Sequence, residues 1–242
     1  MRITTRFVRA GLVILGLTTL LTACGGGGGG GGTPSPIVST DSFSFATANA
    51  AHINNGYALN FNLTGTQMVG GVNYNVTGSG TVTVTAATPS NFEGQPALLN
   101  TETVTGTITV NGVTAPLPAV VQQSYSTTNY VPLGEVDGNE YWVMQGTPVI
   151  PATVKVGDTA VLGTFTRYTD SGKATVLGTV KLSYVIEADA AHTAIINLVT
   201  QQYDTLNALE YSDQTRWRID TVGTVTFVSE IATSPLFTYT LN

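Results

Sequence analysis

After Gly56 the chain alternates apolar and polar residues in short runs broken by turn formers. Residues 80–85, 103–110 and 125–131 show the alternation most plainly, and a period of two belongs to a strand with one face buried. The same pattern predicts strands over 160–168, 175–187, 193–203, 209–219, 222–230 and 237–241. Asn111-Gly112 and Asp137-Gly138 sit between such runs as two-residue hairpin signals, and Asp170-Ser171-Gly172 is a further turn. Residues 145–151 hold two prolines and break the pattern. One stretch departs from strand character: residues 44–55 are alanine-rich and stop at Gly56, as a helix with a glycine cap does. The expected fold is therefore all-β and antiparallel. About a dozen strands would form one curved sheet, open barrel or sandwich, with one short N-terminal helix.

A duplication underlies this expectation. A shift of 98 lays Gly65-Thr66 on Gly163-Thr164 and Gly80-Thr81-Val82 on Gly178-Thr179-Val180. A shift of 97 lays Ala97-Leu98-Leu99-Asn100 on Ala194-Ile195-Ile196-Asn197, and further on Tyr125-Ser126 falls on Tyr211-Ser212 and Gly138 on Gly223. The matches keep their order, which divides the chain into a first β half, 41–146, and a second, 147–242. Half of this chain would be a marginal domain alone, so the two halves are expected to share a core.

The N-terminal region reads differently. Arg2, Arg6 and Arg9 precede an uncharged stretch over 10–21, too short for a spanning helix but right for a signal peptide over 1–23. The chain's one cysteine follows directly, and Leu21-Thr22-Ala23-Cys24 resembles the lipobox of bacterial lipoproteins. That resemblance implies a diacylglyceryl group on the Cys24 sulfur, removal of the leader and acylation of the new amino group. Several acyl chains hold a protein stably on a membrane, where one chain would not. In enteric bacteria an aspartate after the cysteine retains lipoproteins at the inner membrane, so Gly25 points to the outer one. Residues 24–40, with eight glycines at 25–32 followed by Thr33-Pro34-Ser35-Pro36, read as the lipidated cysteine and its tether. Similar glycine runs occur in surface-exposed lipoproteins of Gram-negative bacteria, and the chain as a whole resembles uncharacterised proteobacterial lipoproteins, a class that carries no activity with it.

Charge narrows the partners. Charged residues make up 10% of the chain, against ~25% in a typical domain, and threonine at about forty positions supplies much of the polarity. Without the leader, six basic residues face fifteen acidic ones, a net charge of about −9, and no Lys or Arg occurs between Arg9 and Lys155. Nucleic acid and anionic headgroups, which need clustered cations, are excluded as ligands.

Candidate chemistry is sparse. His52 and His192 lack cysteine partners and motif spacing, so no metal site and no cofactor are expected. No nucleophile elbow is present and the sole cysteine is assigned to the lipid, so no catalytic residue is expected. Carboxylates at Glu135, Asp137, Glu140, Asp170 and Asp204 could serve a glycoside hydrolase, but turns recruit such residues for backbone hydrogen bonds. Asp137-Gly138-Asn139-Glu140 lacks the full ligand series of a calcium loop. Arg216 and Arg218 share one face of a strand, with Trp217 and Ile219 on the other. They are weak candidates for gripping a carboxylate or phosphate, set against a plain solvated face. Tyr130, Tyr141, Trp142, Phe165, Tyr168 and Tyr184 could line an apolar cavity or belong to the core. The functional expectation is a non-catalytic, lipid-anchored outer-membrane protein. It would bind an apolar ligand or an envelope protein in the periplasm, or act as a surface adhesin or receptor.

Overall fold

The computed structural model describes residues 38–242 apart from Asn139. The leader, Cys24 and the glycine run lie outside the described residues. Among the described residues one helix, α1 (Phe45–Asn55), precedes fourteen strands. The first half contributes β1 (Tyr57–Val69), β2 (Val72–Val84), β3 (Thr88–Phe92), β4 (Gln95–Val110), β5 (Val113–Pro116), β6 (Ala119–Ser126), β7 (Pro132–Asp137) and β8 (Glu140–Gln145). The second contributes β9 (Thr159–Tyr168), β10 (Val176–Ala190), β11 (Thr193–Tyr203), β12 (Leu209–Asp220), β13 (Val225–Ser234) and β14 (Phe237–Leu241).

Every pairing is antiparallel. The order β2-β1-β14-β13-β12-β11-β10-β9-β8-β7-β6-β4 returns on itself through β2–β4, which closes twelve strands into a barrel. Of the forms the sequence left open, this is a barrel, and it is closed. The two strands outside the ring both attach to the 16-residue β4: β3 pairs its first residues, and β5 forms the hairpin across Asn111-Gly112. Pro89 in β3 and Pro116 in β5 occupy the edges that remain, where a missing N–H discourages further pairing.

The two faces of the wall differ in chemistry. On the outside, Asn60, Asn62 and Thr64 of β1 oppose Thr81, Ser79 and Thr77 of β2, which in turn oppose Thr105, Thr107 and Thr109 of β4. Threonine suits a solvated strand face because its branched side chain fits the pleat while its hydroxyl meets water. Inside, Phe61, Leu63, Val76, Val82 and Val104 continue into Val180, Ile186, Ile196, Ile219 and Leu241 as one buried core. A smaller apolar cluster of Phe92, Ala97 and Tyr141 lies on the outer wall, where β3 folds over β7 and β8. Gly134 makes this possible, since a Cβ there would stand 2.0 Å from the Phe92 ring.

α1 closes one end of the barrel. Its buried residues Phe45, Ala48, Asn49, His52 and Ile53 follow helical spacing exactly along one stripe. Gly56, at φ 62°, ends it and donates its N–H to the His52 carbonyl at 3.1 Å. Asn100 of β4 donates to the Ile53 carbonyl at 2.8 Å and the Thr85 carbonyl at 2.6 Å, and Asn49 donates to the Tyr130 carbonyl at 3.0 Å. Before the helix, Phe43 exchanges two backbone hydrogen bonds with Val154 of the β8–β9 connection. Ser39 bonds to the carbonyl of Ala191, in the β10–β11 turn. The described chain thus begins at the helix-capped end.

Some sequence expectations need correction. Residues 125–131 are not a strand: β6 ends at Ser126 and a turn follows, in which the Thr128 N–H donates to the Ser126 hydroxyl and Tyr130 adopts φ 55°. Residues 222–224 belong to the turn before β13, held by Asp220 Oδ1, which accepts from the N–H groups of Val222 and Thr224. The boundary at 146/147 falls between β8 and β9, yet β8 pairs with β9 and β1 with β14, so the ladder runs across both junctions. Each half supplies six ring strands. The matched Gly65 and Gly163 lie on the first of each six, and Gly80 and Gly178 on the second. Ala97 and Ala194 lie on the third but face opposite sides of the wall, as a one-residue slip requires. Gly138 and Gly223 fall in turns at opposite ends of the barrel, so that part of the match is not one of position.

Candidate functional site

The polar chemistry of this protein lies inside the barrel. In β4, Asn100 and Glu102 occupy the same inward phase as Val104, and all three are buried. Across the ladder Asn100 opposes Gln123 and Glu102 opposes Val121. Gln123 opposes Glu135, which opposes Trp142. From the far wall come Thr200, opposite Asp213, and Thr215, opposite Glu230. These too alternate in phase with buried Leu198, Trp217 and Ile219. The result is a belt of carboxylates, amides and hydroxyls buried against the apolar core.

Aromatic side chains lie on its helix side. His52 lies against Tyr57 with ring centroids 4.2 Å apart and the planes tilted by 38°, it meets Trp217 edge-on at 4.8 Å, and Tyr57 meets Trp217 at 5.4 Å. Burial pushes the imidazole down to about 2, so the ring is neutral. Tyr57 is raised well above the usual phenol value, by burial first and then by the charges of Glu102, Tyr125 and Glu230. The same phenol senses carboxylates from opposite walls, which places both near one point of the interior. Tyr125 donates to Gln123 Oε1 at 2.7 Å, and Tyr239 to Gln67 Oε1 at 2.8 Å, with burial pushing Tyr239 up to about 12. A cavity of about 40 Å³, enough for a few waters, lies between Phe45 and Asn49 of α1 and wall residues including Gln123, Glu135, Phe165 and Leu198.

A second buried group is an ion pair. Arg167 of β9 grips Glu140 of β8 with two bonds, Nε to Oε2 at 3.0 Å and Nη2 to Oε1 at 2.8 Å. Its Nη1 reaches Glu210 at 2.6 Å and the Tyr203 carbonyl at 3.2 Å, while the Trp142 indole donates to Glu140 Oε2 at 2.7 Å.

The residues singled out in the sequence fall at several places. Arg216 and Arg218 lie on the outer wall, apart from the belt. Arg216 bonds to Glu187 and Gln214, and Arg218 makes a two-pronged pair with Asp189 at 2.7 and 2.9 Å. The bond from Arg218 holds the Asp189 carboxyl below its usual range. Both arginines are thus matched by acids on β10, the solvated-face arrangement. His192 is exposed and bonds to Asp41. Among the described residues no three His, Cys, Asp or Glu side chains stand together as a metal site. Asp170 and Asp204 organise turns through backbone N–H groups, and Asp137 accepts from the Glu140 N–H.

Of the aromatics, Phe165 lines the cavity, Trp142 packs against it and Tyr184 meets Phe45 edge-on. Tyr141 and Tyr168 belong to the outer cluster, and Tyr130 meets Asn54 of the helix. Glu102, Asp213 and Glu230 were missed. The signal was available: each occurs on the apolar phase of its strand, where a charge is out of place.

Fold and site together define a class: a closed antiparallel β-barrel with polar outward rows on β1, β2 and β4, helix-capped at one end and with acids buried within. No family model matches the chain, and neither a curated protein nor a solved structure is similar to it.

Proposed function

We propose that this chain is a lipid-anchored, non-catalytic binding protein of the bacterial outer membrane, held in the periplasm on its glycine tether and taking its ligand inside the barrel. The observation that carries the reading is the inversion of the wall. A barrel that spans a bilayer turns an apolar band outward, whereas β1, β2 and β4 here turn rows of Thr, Asn and Ser outward and keep their carboxylates inside. Such a barrel needs a separate anchor to stay at a membrane, and the lipobox cysteine, fourteen residues before the first described one, supplies it. Among the described residues, closure of the ring leaves only β3 and β5 as edges, which favours an enclosed ligand over a partner's added strand.

A second reading, a surface receptor or adhesin, is supported by the opposite end. Met68, Val72, Val113, Leu206, Leu209 and Leu236 are exposed there, in turns or at the strand ends beside them.

The deciding experiment treats intact and permeabilised cells with a nonspecific protease and weighs the anchored fragment. Survival on intact cells with loss after permeabilisation supports the periplasmic reading, and loss from intact cells supports the surface one. A Cys24 without acyl mass sinks both.

A further inference from the structure

Building on the reading of the barrel interior as a binding site, we infer that the cavity under α1 is its pocket, and that it takes a short neutral acyl group, an alkyl stub bearing one carbonyl. The cavity sets the size and the apolar part. Its lining is mostly apolar: Phe45 of α1, Ile150 of the β8–β9 connection, and Leu162, Phe165, Leu182 and Leu198 of β9, β10 and β11. Water there would find few partners, whereas an apolar void accepts an apolar guest. Its volume of about 40 Å³ admits roughly three to four non-hydrogen atoms, since one water occupies ~10–15 Å³ on the same measure. Only Pro132 and Ile150 on the lining are partly exposed, which puts its solvent side between the start of β7 and the β8–β9 connection.

A buried donor sets the polar part. Gln123 of β6 lies on the lining and is 5% exposed. Its Oε1 accepts from the Tyr125 hydroxyl at 2.7 Å, but its Nε2 has no hydrogen-bond partner among the described residues. Asn49, also on the lining, differs, since it donates to the Tyr130 carbonyl. A buried amide N–H without an acceptor costs free energy that a guest carbonyl would recover. The guest is neutral because a charged group would leave water for a largely apolar lining. No Lys or Arg stands on that lining to receive a carboxylate or phosphate.

The test titrates the full chain, held in nanodiscs, with acetone and acetamide, using acetate as the charged control of the same size. The side-chain amide resonances of Gln123 and the fluorescence of Trp142 report binding. Saturable binding at one site per chain is expected for the two neutral compounds and none for acetate. Gln123→Met should weaken it about tenfold, the scale of one lost hydrogen bond, while the outer-wall Thr107→Val leaves it unchanged. Leu198→Ala enlarges the cavity and should shift the preference from acetone to 3-pentanone, a change of selectivity that loss of stability alone does not produce. If Gln123→Met does not fold, that shift decides. A response to N-acetylglucosamine as well makes the group the acyl end of a larger molecule, entering past Pro132 and Ile150; a response to acetone and acetamide alone makes it a free small carbonyl compound. No saturation by either neutral compound, an equal response to acetate, or unchanged affinity in Gln123→Met overturns the inference. A larger apolar molecule carried through purification, with no response to acetone or acetamide, would leave the binding reading intact and remove this one. A response in a chain whose Cys24 carries no acyl group would keep this pocket and remove the lipid-anchored reading.

Discussion

Arg167→Met is the most informative single change in the barrel wall. The guanidinium and the Glu140 carboxylate are 3% and 4% exposed, joined by two bonds of 2.8 and 3.0 Å, with the Trp142 indole on the same carboxylate. Removing the cation leaves that carboxylate in the interior without its ionic partner, which costs about 3–5 kcal/mol. The further bond to Glu210 adds little, because that acid is 43% exposed and its attraction is screened by water. Replacing both partners, Glu140→Met with Arg167→Met, removes the stranded charge together with its partner and should return stability to within about 2 kcal/mol of the parent. Urea unfolding at pH 7, followed by Trp142 fluorescence, measures this, provided the slope m is unchanged. A loss below about 1 kcal/mol for Arg167→Met, or a double variant as weak as the sum of the two singles, would refute the reasoning.

Three further outcomes use the same assay. Folded His52 titrates at about 2, below its ordinary 6.5, so the unfolded chain takes up a proton that the native one refuses. Stability is full above pH 6.5 and falls as pH drops through it, by about 2 kcal/mol at pH 5, and His52→Phe should abolish that part of the slope. Gly134→Ala drives a methyl to 2.0 Å from the Phe92 ring and 2.5 Å from the Trp142 carbonyl oxygen. It should cost about 1–3 kcal/mol, partly relieved by Phe92→Ala. Asn100→Ala removes both side-chain bonds to the Ile53 and Thr85 carbonyls; about 1–3 kcal/mol should be lost, with faster amide exchange in α1 than in β11.

The strands were legible wherever turn chemistry framed them. The pattern places 193–203 and 237–241 where β11 and β14 lie, and Gly56 where the helix stops. It fails at 125–131, because Tyr125 and Val131 sustain an apparent alternation through a turn whose hydroxyl hydrogen bond has no period. β3 was invisible for another reason: it carries a proline and pairs with β4 alone, so it lacks the alternation of a strand with one wall face buried, whereas β5, also short and proline-bearing, was signalled only by the Asn111-Gly112 turn before it. Closure could not be read at all, since the β2–β4 ladder depends on how far the sheet curls and leaves no local mark. The belt was half legible. Alternation correctly put Trp217 and Ile219 inside and Arg216 and Arg218 outside, and the same alternation carried to Asp213, Glu102 and Glu230 would have flagged acids on the inward phase. What no alternation shows is that strands distant in sequence bring Glu102 and Glu230 to act on one phenol, Tyr57.

The ring has an order of assembly. β1, first of the barrel strands, finds its second neighbour only in β14, the last, through Leu63 against Leu241 and paired backbone bonds between Asn62 and Asn242. A polypeptide synthesised amino end first therefore exposes the raw edge of β1 until nearly 180 residues more have been made, and no partial length can seal itself. That edge must stay shielded from other chains until β14 has formed. The five residues of β14 then work as a clasp: a chain cut just before them would present two open edges and invite its copies to join in filaments.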